Sequence, residues 1–331
     1  MLTMNNINGI KLDKIDLKIL AELDKNCRIP STQLAKKVNK SRQAVEYRIN
    51  NLVEKGIITS FNTAINPHKI GYKAYKIYVK LRNIPPEKEK LFNYLNRSCR
   101  VYWLGECSGS WDLIFSFFAK NDYDFYELRN DFISRFNHII IDSEDGILVD
   151  VKQYPKMYFT GKIEKPTMFA GEIVNNKIDE LDSRILEEIV NNARISIVEL
   201  AKNVKSTEII VSNKIKKLQE KGIIIQFRTG INLNLIGSEL YKAIIRLERY
   251  NKEDEKKLFE YASNLPNIQY FIRNLAQIEI ELVVSNFQEY YNLIENLKKE
   301  FSKVIKSVDT VLMMTDIWTP GFGNLLKIHN S

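Results

Sequence analysis

The chain has 331 residues, room for two or more domains, and 44% are hydrophobic, which suits packed cores. No run reaches the ~18 apolar residues of a membrane span, and residues 1–9 are polar without an apolar signal core, so a cytoplasmic protein without membrane contact is expected. The net charge of +8 points toward a polyanionic partner, and three cysteines (Cys27, Cys99, Cys107) without a paired motif argue against a disulfide frame and a zinc site.

In chain order, Ile15, Ile19, Leu20 and Leu23 have helical spacing, with Asp13 as N-cap and Asp16 in the first turn. The stretch Cys27-Arg28-Ile29-Pro30 breaks that helix. Ser31 is placed to cap a second helix, residues 31–38, with Leu34, Ala35 and Val38 inward. Ser41 caps a third, with Val45, Ile49 and Leu52 inward, and Gly56 suits its left-handed end. Residues 57–65 read as strand with a turn at Asn62, so three helices and a small β wing make a winged helix-turn-helix.

The pattern then changes. Residues 74–81 read as strand, Pro85-Pro86 opens a helix, and residues 101–107 and 111–118 are strands around a Ser108-Gly109-Ser110 turn. A helix follows over 123–136 with Phe125, Leu128, Phe132 and Phe136 in one stripe, then two apolar strand segments, 139–141 and 147–151. The order βαββαβ predicts a ferredoxin-like sandwich. Trp103, Trp111, Phe115, Phe117 and Phe118 are expected in its core.

Shifted by 166 positions, residues 12–81 fall on 178–247 without a gap, and 29 of the 70 columns are identical, so the whole unit is duplicated. The expected organisation is α+β: winged helix-turn-helix 11–63, ferredoxin-like domain 64–155, flexible linker 156–176, second winged helix-turn-helix 177–229, second ferredoxin-like domain 230–318, and a short tail.

These residues resemble a known family. Leu12-Asp13, Asp16, Ile19-Leu20, Arg28, Leu34-Ala35, Ser41, Arg48-Ile49, Leu52 and Gly56-Ile57-Ile58 are similar to the DNA-binding domain of the Lrp/AsnC-type (feast/famine) transcription regulators. The following domain, with Gly109-Ser110-Trp111-Asp112 between its central strands, resembles that family's sensing domain. The resemblance implies sequence-specific binding of double-stranded DNA, a homo-oligomer, and a small effector such as an amino acid held between sensing domains near Gly109 and Asp112. In the second copy Ala276 and Glu279 stand opposite that pair. Family members usually carry one unit per chain; this chain looks like a fused tandem.

A helix entering the major groove needs polar groups at its N-terminal outward positions and cations near phosphates. The candidate DNA-binding residues are Ser31, Thr32, Lys40, Ser41, Arg42, Gln43, Tyr47 and Arg48. The second copy puts Glu208, Ile209, Ile210 and Asn213 at the positions of Arg42, Gln43, Ala44 and Tyr47 but keeps Lys214, Lys216 and Lys217. Eleven Lys/Arg against six Asp/Glu give residues 11–63 a charge of +5; ten against eight give 177–229 a charge of +2. The first head is therefore expected to read sequence and the second to bind weakly or contact protein. No phosphate loop, nucleophile elbow or metal-ligand cluster occurs, so no enzyme, cofactor or metal is expected. The alternatives are a siroheme-decarboxylase-like enzyme of the same architecture and a co-regulator acting through protein contacts.

Overall fold

The computed structural model describes residues 10–315 together with Gly323, Leu325 and Leu326. Residues 1–9, the end of the second expected sensing domain (316–318) and most of the expected tail lie outside the described residues. In the first head α1 (Lys14–Lys25), α2 (Ser31–Val38) and α3 (Arg42–Glu54) lead into β1 (Ile58–Ile65). Asp13 caps α1 in a reciprocal capping box with Asp16, which satisfies otherwise orphaned amides. The Ser41 hydroxyl accepts from Ala44 N at 3.2 Å and starts α3. Ser31 does not cap α2; Pro30 holds the N-cap without a side-chain bond and Ser31 is the first helical residue.

The wing differs from the expected strand with a turn at Asn62. Asn62 lies inside a continuous strand, and β1 pairs antiparallel with β7 of the second head, Asn62 opposite Arg228 and Thr63 opposite Phe227. A lone strand leaves its amides unpaired; duplication supplies the partner, so the two heads share one two-stranded ribbon.

The first sensing domain contains β2 (Lys73–Leu81), α4 (Pro85–Arg97), β3 (Val101–Gly109), β4 (Leu113–Ala119), α5 (Asp122–Phe136) and β5 (Ile140–Gln153). The two apolar segments expected near 139–151 are one 14-residue strand, β5. Its first half pairs with β2 and its second half crosses to the other copy, so no single periodicity spans it. The expected flexible linker is packed structure. It holds α6 (Met157–Thr160) and β6 (Thr167–Ala170), buries Met157, Tyr158, Phe159 and Phe169, and lays β6 on β5. Apolar side chains between the turn residues drew it into the core.

The second unit repeats the plan: α7 (Glu180–Val190), α8 (Ile197–Asn203), α9 (Glu208–Glu220) and β7 (Ile224–Ile231) form the head. The sensing domain is β8 (Glu239–Leu247), α10 (Lys252–Ser263), β9 (Ile268–Asn274), β10 (Ile278–Val284), α11 (Phe287–Glu300) and β11 (Ile305–Met313). Each sheet is a ferredoxin-like four, β5-β2-β4-β3 and β9-β10-β8-β11. Their edges join at β5–β9 and at β3–β11, so the eight strands close into a ring. Strand alternation then gives two buried faces. Tyr75, Ile77, Val79, Phe115 and Phe117 point out beneath α4 and α5, while Ala74, Tyr78, Ile114 and Phe118 share the central core. Trp103 and Trp111 are buried, as expected. No helix among the described residues is long and apolar enough to cross a membrane.

Candidate nucleic-acid interface and sensing turn

The heads are clamped to each other by a reciprocal pair that the duplication created. Arg28 Nη1 donates to the Ala193 carbonyl at 2.7 Å, and Arg194 Nη1 donates to the Cys27 carbonyl at 2.8 Å. Each guanidinium also lies over an aromatic ring of the other head, Phe227 at 5.5 Å and Phe61 at 5.2 Å. Cys27 N bonds to Phe227 O and Ala193 N to Phe61 O, both at 2.9 Å. The ribbon and this clamp hold α3 and α9 at a fixed separation.

On α3, Arg42, Gln43 and Tyr47 are exposed, Tyr47 by 73%, and Lys40, Ser41 and Thr32 stand exposed beside them; Ser31 is half-buried. Arg42 Nε makes a 2.8 Å pair with Glu46 Oε1 one turn on, a surface pair readily exchanged for a base edge or phosphate. Arg48 is placed differently from the expectation. Its Nη1 binds Asp13 at 2.8 Å and Asp16 at 2.7 Å, pinning α3 to the start of α1. Lys214 repeats this in the second head with Asp179 at 2.5 Å and Asp182 at 2.9 Å. The duplicated cation therefore braces the head in both copies, tying the third helix to the first within its own unit. The carboxylates that attract it are those of the capping boxes. On α9 the exposed tip is Glu208, Ile209 and Ile210, with Ile209 exposed by 75%.

The expected effector turn is engaged internally. Asp112 Oδ1 pairs with Lys80 at 3.1 Å and Oδ2 accepts from Leu81 N at 2.8 Å. Gly109 has φ +124°, and a Cβ there would stand 2.5 Å from the Thr310 carbonyl oxygen of β11. Close approach of the other copy's backbone accounts for this glycine. Register also corrects the matching of copies. Lys76 faces Ser116 and Tyr78 faces Ile114 in the first sheet, while Lys242 faces Glu281 and Ile244 faces Glu279 in the second. Glu279 thus occupies the place of Ile114, inside the ring, and not that of Asp112.

There it joins a polar cluster that sequence reasoning missed. Glu279 accepts from Lys76 at 2.8 Å and from Lys242, Tyr78 and Asn274; Lys242 also donates to Glu281 at 2.6 Å. Both ammonium groups lie over Trp103, at 5.6 and 5.5 Å. Burial opposes charge on Glu279, but Lys242 and Lys76 outweigh it and hold the carboxyl far below its usual range. Burial draws the Lys76 ammonium down to about 8 against the pull of Glu279. The signal was present as alternate charge in Ile278-Glu279-Ile280-Glu281-Leu282, a pattern that ordinarily marks a solvent face. Away from this cluster, a cleft of about 730 Å³ opens between the ribbon and one end of the ring, lined in part by Thr59, Asn62, Arg228 and Asn232.

Three helices and a strand presenting an exposed third helix define a winged helix-turn-helix, and the family profile described as winged helix-turn-helix DNA-binding matches residues 12–59 and 178–225. The HTH-type transcriptional regulator Ptr1 of Methanocaldococcus jannaschii is 34% identical over 106 residues, 31% of this chain and 69% of that protein. The transcriptional regulator AzlB of Bacillus subtilis is 32% identical over 117 residues, 34% of this chain and 73% of that protein. The chain belongs to the Lrp/AsnC-type transcription regulators and carries the family's unit twice. Among solved structures, the siroheme decarboxylase NirDL matches with a TM-score of 0.62 at 16% identity, covering 96% of this chain and 98% of that one. That likeness is one of fold alone.

Proposed function

We propose that the protein regulates transcription by reading a double-stranded DNA sequence through α3, while α9 serves as a weak DNA contact or a protein-facing surface. The observation that carries this is the contrast between duplicated helices in one clamped frame. Arg42, Gln43 and Tyr47 project from α3, where Glu208, Ile209 and Asn213 project from α9. Arginine pairs with guanine and glutamine with adenine in the major groove; isoleucine has no hydrogen bond to offer, and a carboxylate meets phosphate repulsion. Selection from a random DNA pool tests it. The reading predicts that Arg42→Ala lowers affinity for the selected site roughly 10- to 100-fold and relaxes one base position. It further predicts that Ile209→Ala leaves the selected sequence unchanged. Equal loss of specificity in both variants would assign reading to both heads.

Effector control is the narrower part of the proposal. An amino acid bound near Gly109 would have to bring its ammonium into the place Lys80 holds at Asp112. In the same binding assay, modulation by an amino acid should vanish in Asp112→Ala; modulation that survives puts the effector elsewhere.

A further inference from the structure

The two sensing sheets are not interchangeable where they meet. Inside the ring, the first sheet brings Lys76 with Ser116 and Ile114 beside it; the second brings the duplicate Lys242 with Glu281 and Glu279 in the corresponding places. The side chains of Lys242 and Glu279 are 0% exposed, those of Lys76 and Glu281 5% and 6%. Counting these four, the first inner face carries +1 and the second, with one lysine and two glutamates, carries −1. Facing each other they sum to zero, and every ammonium meets a carboxylate. Two first sheets face to face would bury two lysines without an acid. Two second sheets would bury four carboxylates against two lysines. An unbalanced buried charge costs on the order of several kcal/mol. At the rim, Arg246 of the second sheet reaches Glu144 of the first at 2.7 Å, whereas its duplicate, Lys80, stays with Asp112 in its own copy.

We infer that the inner faces of the two sensing sheets form a complementary pair coded by charge, so that each half of the chain accepts the other half as partner and rejects a like half. The inference is independent of DNA reading. It makes the partner of each sheet a sheet of the opposite code, in the same or a second chain, and excludes the like-with-like pairing that two identical sheets would adopt.

Two full-length variants test it. Glu279→Ile with Glu281→Ser installs in the second sheet the residues the first sheet carries at the same register. Lys76 and Lys242 then face each other without an acid, and the thermal midpoint should fall by on the order of 10 °C. Adding Lys76→Met and Lys242→Met removes the charge altogether and should return the midpoint to at least the wild-type value, because well-packed apolar replacements of buried ion pairs are neutral or stabilising. If the first variant melts like the wild type, charge does not select the pairing. If the second stays as unstable as the first, packing and not charge governs the faces, and the inference falls.

Discussion

At the scale of the residue, a position is read correctly only when its neighbours are known. Arg48 and Lys214 look like phosphate contacts on a reading helix, yet both brace the head through capping-box aspartates. Arg48→Ala is therefore expected to lower stability by ~1 kcal/mol or less and to weaken all DNA sequences alike, while Arg48→Lys, the second head's choice, keeps both properties. Chemical denaturation and competition between selected and random DNA measure the two effects; a changed base preference would return Arg48 to the reading surface. His68 gives a second case. Its Nδ1 donates to the Gly171 carbonyl at 2.7 Å and its Nε2 accepts from Ala74 N at 3.1 Å, so the neutral ring ties the inter-copy segment to β2. Burial lowers its pKa from 6.5, helped by Lys73 and Lys69, against the Gly171 bond. A depressed histidine contributes stability above its unfolded pKa and loses it as pH falls through that value, since the unfolded chain takes the proton first. Wild type should thus lose more stability between pH 7.5 and 5.5 than His68→Asn, which carries the second copy's residue. Parallel pH profiles would refute this.

At the scale of the element, helices were legible and shared strands were not. The caps Asp13 and Ser41 and the stripes Ile19/Leu20 and Val45/Ile49/Leu52 act within a few residues of themselves, so α1 and α3 could be placed from sequence. The wing could not, because β1 closes on a strand 166 residues away. The same distance hid Arg28 and Arg194. Their identity across the copies was visible, but their reciprocal bonds exist only once the heads are docked. Each of Arg28→Ala and Arg194→Ala should cost about 2 kcal/mol, from a charged hydrogen bond and a cation–π contact. The backbone amides of Asn62 and Arg228 should exchange faster in both variants; protection equal to wild type would show that the ribbon holds the heads without the clamp.

At the scale of the whole molecule, one chain pairs its own two units: two heads on a shared ribbon and two sheets in a closed ring. On the proposal that reading is confined to α3, a site of two matching half-sites needs two chains. Light scattering of the complex should then show two chains per palindromic site, each first head protecting one half-site; one chain covering two dissimilar adjacent sites would mean that α9 reads as well. The sequence by itself determined the duplication, the α+β class, the helices of each head and the divergence of α9 from α3, because these depend on residue type and spacing over a few turns. The tertiary structure decided the shared wing, the packed inter-copy segment, the commitment of Asp112 to Lys80, and the burial of Lys76, Lys242, Glu279 and Glu281. Whether an alternating charge faces water or another sheet depends on what docks against it, and that partner lies some 200 positions away along the chain.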